Sequence, residues 1–176
     1  MNDRTIRIAR LSMMLALATS VHALEALTPV TIGWFRFGFA NIVGLSTLLL
    51  FGFKDAFYVT IGRIFIGALI SGSLGSPAFF LALSGGIVSI ILMGIASLAD
   101  RRYLSEIGIS VIGSVSHNMA QLAVACLVIV RNDSILVLAP LMIFAATATG
   151  FLNGLACRYL TSSLQKHWRE CPEGRV

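Results

Sequence analysis

Residues 78–98 read Ala78-Phe79-Phe80-Leu81-Ala82-Leu83-Ser84-Gly85-Gly86-Ile87-Val88-Ser89-Ile90-Ile91-Leu92-Met93-Gly94-Ile95-Ala96-Ser97-Leu98, without one charged side chain. As a helix rising 1.5 Å per residue this run is about 30 Å long, the thickness of a bilayer's hydrocarbon core. Five further apolar stretches flank it, at Ile8–Leu27, Phe37–Phe53, Ala56–Ile70, Ile107–Val130 and Ile135–Leu160, divided by charges or turn-forming residues. The pattern predicts an all-α membrane protein, a compact bundle of six transmembrane helices.

Composition points the same way. Of 176 residues, 57% are hydrophobic and 12% charged, with a mean hydropathy of +0.88, whereas a soluble domain carries about 25% charged residues. A soluble enzyme, a disordered tail and a nucleic-acid-binding domain are excluded, since each needs more polar surface than these residues supply. The net charge of +5 and pI near 9.6 do not argue for nucleic acid, because the basic residues sit beside apolar segments and form no stripe. Six spans with short connections use up the chain, so residues 1–176 read as a single integral membrane domain whose end, 161–176, is a polar cytoplasmic tail. The third stretch, 15 residues and about 22 Å, is short for a span. It borrows flanking residues or ends in the Ser71–Pro77 turn, a candidate re-entrant or lid segment.

Charge sets the orientation. Arg4, Arg7, Arg10, Lys54, Arg101, Arg102, Arg158, Lys166, Arg169 and Arg175 fall on one side of a six-span bundle and only Arg36 and Arg131 on the other, with Arg63 inside the third span. The positive-inside rule then puts both termini in the cytoplasm. Arg4, Arg7 and Arg10 before an apolar run, with Val21-His22-Ala23 beyond it, imitate a signal peptide. The run is longer than a signal core, and Ser12, Ala16 and Ser20 share one helix face in the manner of a span that packs against another helix, so it is expected to remain uncleaved. Lys166, His167, Trp168 and Arg169 read as an anchor at the inner membrane surface.

Polar groups inside hydrocarbon cost several kcal/mol, so their positions are informative. Glu25 lies near the outer end of the first helix with His22 three residues before it, Arg36 opens the second with Asn41 just over a turn deeper, and Arg63 is near the middle of the third. Ser84-Gly85-Gly86 interrupts the fourth. In the fifth, His117 and Gln121 form an i, i+4 pair whose face continues through Gly113 and Ser114 to Ser110, with Asn118 about 100° around. These donors and acceptors must face other helices or a water-filled cavity. Each has a structural use as well as a functional one: Arg36 as a snorkelling interfacial charge or partner of Glu25, Arg63 as a buried ion pair, the His117-Asn118-Gln121 set as interhelical hydrogen bonding, and Ser84-Gly85-Gly86 as close helix packing. Cys126, Cys157 and Cys171 lack metal-ligand spacing, and neither a phosphate loop, a paired-histidine metal site nor a nucleophile with a base is present. The expectation is a protein that is not an enzyme and needs no cofactor or metal.

At Arg36-Phe37-Gly38-Phe39-Ala40-Asn41-Ile42-Val43, Arg63 with Gly67 and Ser71-Gly72, Ser84-Gly85-Gly86, and Ser110 to His117-Asn118-x-x-Gln121, together with Glu25 and Pro29, the chain resembles a bacterial membrane family. That family is known as the Gx transporters and is also labelled heptaprenyl diphosphate synthase component I, and the resemblance covers residues 7–160. The first name implies transport, with a fold similar to the substrate-binding S components of energy-coupling factor (ECF) importers, whose transmembrane and ATPase subunits supply the energy. The second implies a membrane subunit of a prenyl diphosphate synthase. Catalytic subunits of such enzymes use aspartate clusters to hold magnesium and diphosphate, and Asp3, Asp55, Asp100 and Asp133 stand isolated here. S components carry an Ala-x-x-x-Ala docking pattern on the first helix; here Ser12, Ala16 and Ser20 stand in its place.

The expectation is therefore a transport component of the bacterial inner membrane with an outward-facing site built from Glu25, Arg36, Asn41, Arg63, Ser84, His117, Asn118 and Gln121. Two arginines against one glutamate favour a small, partly anionic, vitamin- or cofactor-related substrate. The bilayer, that substrate and ECF subunits docking at Ser12, Ala16 and Ser20 are the expected partners. The alternative is a non-catalytic accessory subunit of polyprenyl diphosphate or quinone synthesis.

Overall fold

Every apolar stretch of the sequence holds a helix in the computed structural model, which describes residues 3–27, 38–99 and 104–170. In chain order these are α1 (Asp3–Leu27), α2 (Ala40–Phe51), α3 (Phe53–Ile70), α4 (Pro77–Ser97), α5 (Glu106–Val124) and α6 (Ala139–Glu170), with a π-helical segment at Ala125–Val130 and a 3-10 helix at Asp133–Leu138. Among the described residues there is no strand.

The helix ends follow local chemistry. Ser76 caps α4 by accepting the Phe79 N–H, with Pro77 in the first turn where its missing donor costs nothing, and Ser105 caps α5 by accepting the Gly108 N–H. Gly52 separates α2 from α3 with φ +91°, a conformation that L side chains rarely adopt. After α3, Gly72 at φ +64° closes a Schellman pair: the Ser73 N–H reaches the Ala68 carbonyl at 2.9 Å and the Gly72 N–H reaches Leu69 at 3.2 Å. A second tight turn, Ser76 N–H to the Ser73 carbonyl at 3.0 Å, then delivers the chain to α4. The Ser71–Pro77 segment is thus a double turn. α3 does borrow residues at its start, reaching 18 residues, or about 27 Å.

α2 is the hub. It packs against α1, α3, α4, α5 and α6, while α5 lies between α4 and α6, and α3 between α1 and α4. Its Leu45 and Leu48 join Ala56, Ile90, Met93, Ile109 and Cys157 in one apolar cluster, and its Val43 joins Met14, Ala18 and Val59 in another. At 12 residues, about 18 Å, α2 is shorter than the expected 37–53 span. Pro77–Ser97, Glu106–Val130 and Asp133–Lys166 are long and apolar enough to cross a membrane. Their outward side chains are those of a lipid-facing surface: Phe144 is 76% exposed, Leu127 73% and Leu141 66%.

α5 and α6 approach most closely where Gly150 and Gly154 meet α5. A Cβ on Gly154 would come within 2.6 Å of Ile107 Cα, and one on Gly150 within 2.8 Å of Val111 Cα. This Gly-x-x-x-Gly spacing lets backbones touch.

The polar tail expected after Leu160 differs. To Glu170 it continues α6: Thr161 is buried, its hydroxyl donating to the Cys157 carbonyl at 2.9 Å, and Leu164 packs on the Met14, Ala18, Val43 and Val59 cluster. That packing adds apolar burial beyond the end of the apolar run. At the same end of the bundle, Arg7 of α1 holds the buried carboxylate of Asp55 in the first turn of α3 through two donors, Nη2 to Oδ1 at 2.5 Å and Nε to Oδ2 at 3.3 Å. Hydrogen bonding to Asp55 raises the Arg7 pKa above its ordinary value.

Candidate functional site

Arg63 is 4% exposed, and its Nη2 donates to Asn41 Oδ1 at 2.8 Å. The two residues were separate candidates in the sequence; α3 and the first turn of α2 bring them together inside the bundle. A desolvated guanidinium is costly unless its donors are met, and Asn41 meets one of them. Asn41 is held in turn by its own backbone, whose N–H donates to the Gly38 carbonyl at 2.8 Å. Gly38 itself has φ +71°.

One turn along α3, Gly67 lies against the His22 ring of α1: a Cβ there would come within 2.5 Å of His22 Cδ2. On the other side Gly86 of α4 meets Ile64 and Thr60 of α3, while its neighbour Gly85 backs onto α5. A Cβ on Gly85 would lie 2.8 Å from His117 Cε1 and 3.0 Å from Gln121 Cγ. The consecutive glycines are therefore the seam through which α4 reaches both halves of the site. His117, Asn118 and Gln121 are all buried, as expected for groups that hydrocarbon cannot satisfy.

Ser84 contributes least among the described candidates. It is half-buried and its hydroxyl donates back to the Leu81 carbonyl of its own helix at 3.0 Å, the bond by which helical serines satisfy themselves locally. Glu25 belongs to the last turn of α1, but its side chain, like Arg36, lies outside the described residues. Ser12, Ala16 and Ser20 are exposed on α1, while Met14 and Ala18 on its opposite face are fully buried. The small-residue stripe therefore lies on the face of α1 turned away from Met14 and Ala18.

Three buried polar features escape a sequence reading. Asn153 of α6 is 1% exposed and donates through Nδ2 to the Gly38 carbonyl at 3.2 Å. The Ser89 hydroxyl, 1% exposed, faces the backbone of Gly113, whose Cβ would lie 3.3 Å from it. Ser46 of α2 pairs with Cys157 of α6 at 3.3 Å. The signal for Asn153 was a carboxamide between two glycines in an apolar run. Beyond the site, α5 turns into a π-helix that ends at Arg131 in the left-handed region with φ +54°. π-helical segments occur often next to functional sites. Among the described residues no group of three or more His, Cys, Asp and Glu is placed to hold a metal ion.

What the arrangement can do follows from its chemistry. A buried guanidinium, carboxamides from α2 and α5 and an imidazole offer donors and acceptors at the centre of an apolar bundle, a setting that recognises a polar or anionic group by hydrogen bonding.

No curated protein and no solved structure matches the chain. One family model, described as heptaprenyl diphosphate synthase component I, matches residues 14–160, from within α1 to within α6 and across every candidate binding residue. The chain belongs to the heptaprenyl diphosphate synthase component I family.

Proposed function

We propose that this protein is a membrane transport component that binds a small, partly anionic, vitamin- or cofactor-related molecule between its helices. The observation that carries the reading is the buried Arg63–Asn41 bond, a guanidinium and a carboxamide brought together deep in an apolar bundle. A buried guanidinium is a donor group that meets a ligand's carboxylate or phosphate bidentately. Glu25, Arg36, Asn41, Arg63, His117, Asn118 and Gln121 make up the site in this reading, with Ser84 at its margin, and none of them breaks or forms covalent bonds.

In the same proposal the chain forms one domain of six spans in the inner membrane of a bacterium. Both termini are cytoplasmic, and the site opens outward. The ten-to-two split of Lys and Arg supports that orientation. Energy comes from separate transmembrane and ATPase subunits of the ECF kind, docked on the exposed Ser12, Ala16 and Ser20 stripe.

The family description favours a second reading, a non-catalytic membrane subunit that assists heptaprenyl diphosphate synthesis. Arg63 would then hold the diphosphate of a lipid-linked precursor. One experiment separates the two: purify the protein under mild conditions and identify by mass spectrometry what comes with it. A water-soluble anion supports transport, a prenyl diphosphate supports the synthase subunit, and an empty protein that binds neither class on addition overturns both.

A further inference from the structure

We propose that Asn153 is a positioning residue of the binding site, acting on Arg63 through the start of α2; the inference rests on reading Arg63 and Asn41 as that site. α6 is the most peripheral of the long helices, yet the face that carries Asn153 and Cys157 is sealed, at 1% and 0% exposure. One turn beyond Asn153, Cys157 pairs with Ser46 of α2 at 3.3 Å, so this face of α6 lies on α2 while Gly150 and Gly154 lie on α5. A carboxamide buried there must find partners within the bundle.

Asn153 Nδ2 donates to the Gly38 carbonyl at 3.2 Å, and the same oxygen accepts the Asn41 N–H at 2.8 Å. Asn41 Oδ1 then accepts Arg63 Nη2 at 2.8 Å. Three bonds therefore run from α6 through the entry of α2 to α3, joining residues far apart in sequence. Phe39 at the N-cap position makes no side-chain cap, and Gly38 sits at φ +71°, where glycine has many other conformations open to it. A fixed donor from a neighbouring helix holds the Gly38 peptide in the one orientation that starts α2 at Asn41. Hydrogen bonds in a dry interior are strong and reinforce one another.

The test uses the full chain in lipid nanodiscs and reads Arg63 itself. p-Hydroxyphenylglyoxal modifies accessible guanidinium groups, and peptide mass spectrometry gives the rate at each arginine, with exposed Arg158 as internal reference and inorganic diphosphate as the protecting anion. Asn153→Leu keeps the volume and removes the donor. Thr149→Val, one turn earlier on α6, removes a buried hydroxyl that donates only to its own helix at the Ala145 and Ala146 carbonyls. Asn153→Leu is expected to speed modification of Arg63 about fivefold or more, the equivalent of losing one hydrogen bond, while Thr149→Val and the Arg158 rate stay unchanged. Diphosphate should protect Arg63 in the parent protein and protect it less in Asn153→Leu. Where Asn153→Leu fails to insert, Asn153→Gln, which keeps the amide but displaces it by a methylene, is expected to give the same faster rate. An Arg63 rate equal to the parent's in a folded Asn153 variant, or one raised equally by Thr149→Val, overturns the proposal. Diphosphate that fails to protect the parent while Asn153→Leu still speeds modification sustains the positioning role and overturns the anion-site reading alone.

Discussion

Arg63 and Asn41 meet across α3 and α2 with 2.8 Å between Nη2 and Oδ1, both side chains buried. Replacing Arg63 by Lys keeps a positive charge but offers a point donor in place of a planar fork. The variant is expected to insert normally and to lose affinity for the co-purifying molecule by about tenfold to a hundredfold, the worth of one charged hydrogen bond. Arg63→Gln should lose more. His117→Ala, which removes a neutral group, should lose about 1 kcal/mol. The double variant should be non-additive if both residues touch one ligand. Calorimetric titration checks all four; unchanged binding with a lowered melting temperature would make these residues structural.

The helix contacts make a second, purely structural expectation. Gly154→Ala drives a Cβ to 2.6 Å from Ile107 Cα, a backbone atom that cannot turn aside, whereas Gly85→Ala meets the His117 ring and Gln121, side chains that can. Gly154→Ala should therefore cost more, about 2–3 kcal/mol against about 1 kcal/mol, as overpacking usually does. Thermal unfolding in a fixed detergent gives the order. Gly85→Ala should lower ligand affinity more than it lowers stability, because the groups it displaces are the candidate binding residues.

How far these features were legible in the sequence depends on how local their causes are. The apolar runs announce helices because a bilayer demands about 20 apolar residues in succession, and Arg63 and His117 stand out because hydrocarbon makes them expensive. Spacing along one helix cannot say which partner waits on another, so Arg63 and Asn41 were candidates without being a pair. The Arg7–Asp55 contact was hidden for the same reason, as its members stand 48 positions apart in the chain and Arg7 already had a use as a topology signal. Asn153 was not among the candidates because its acceptor is a backbone carbonyl, which no sequence displays. Leu164 packs on the Met14, Ala18, Val43 and Val59 cluster from within that polar tail, a contact that the apolar run did not announce, and α6 runs on to Glu170.

The Arg7–Asp55 pair supports a third expectation. Arg7 is largely exposed while the Asp55 carboxylate is buried, so removing the arginine strands a buried anion. Arg7→Leu should be more destabilising than Arg7→Leu combined with Asp55→Asn, because the second change removes the charge left behind. Melting temperatures of the parent, both single variants and the double variant decide it, and a double variant no better than Arg7→Leu would show that the pair contributes little.

Topology is tested by fusions. Reporters at both termini should give cytoplasmic signals and one inserted at Leu74-Gly75, in the turn between α3 and α4, should be external. An external C-terminus would overturn the six-span proposal and with it the outward-facing site.

The exposed stripe of α1 separates docking from folding. Ala16 lies on the same face as Ser12 and Ser20, all exposed, while Ala18, two residues on, is fully buried against α2 and α3. A tryptophan at Ala18 has no room and should prevent stable folding. At Ala16 the ring extends away from the bundle, so Ala16→Trp should melt like the parent and keep its ligand. If α1 is the surface on which a transmembrane subunit docks, that ring holds the two backbones apart, because close approach of helices in lipid depends on small side chains at the contact. Pull-down of the partner from membranes should then be lost in Ala16→Trp and kept in a Ser20→Ala control. Loss of ligand together with partner would mean that the stripe serves the site instead of an interface, and retention of the partner in Ala16→Trp would place the docking surface on another helix.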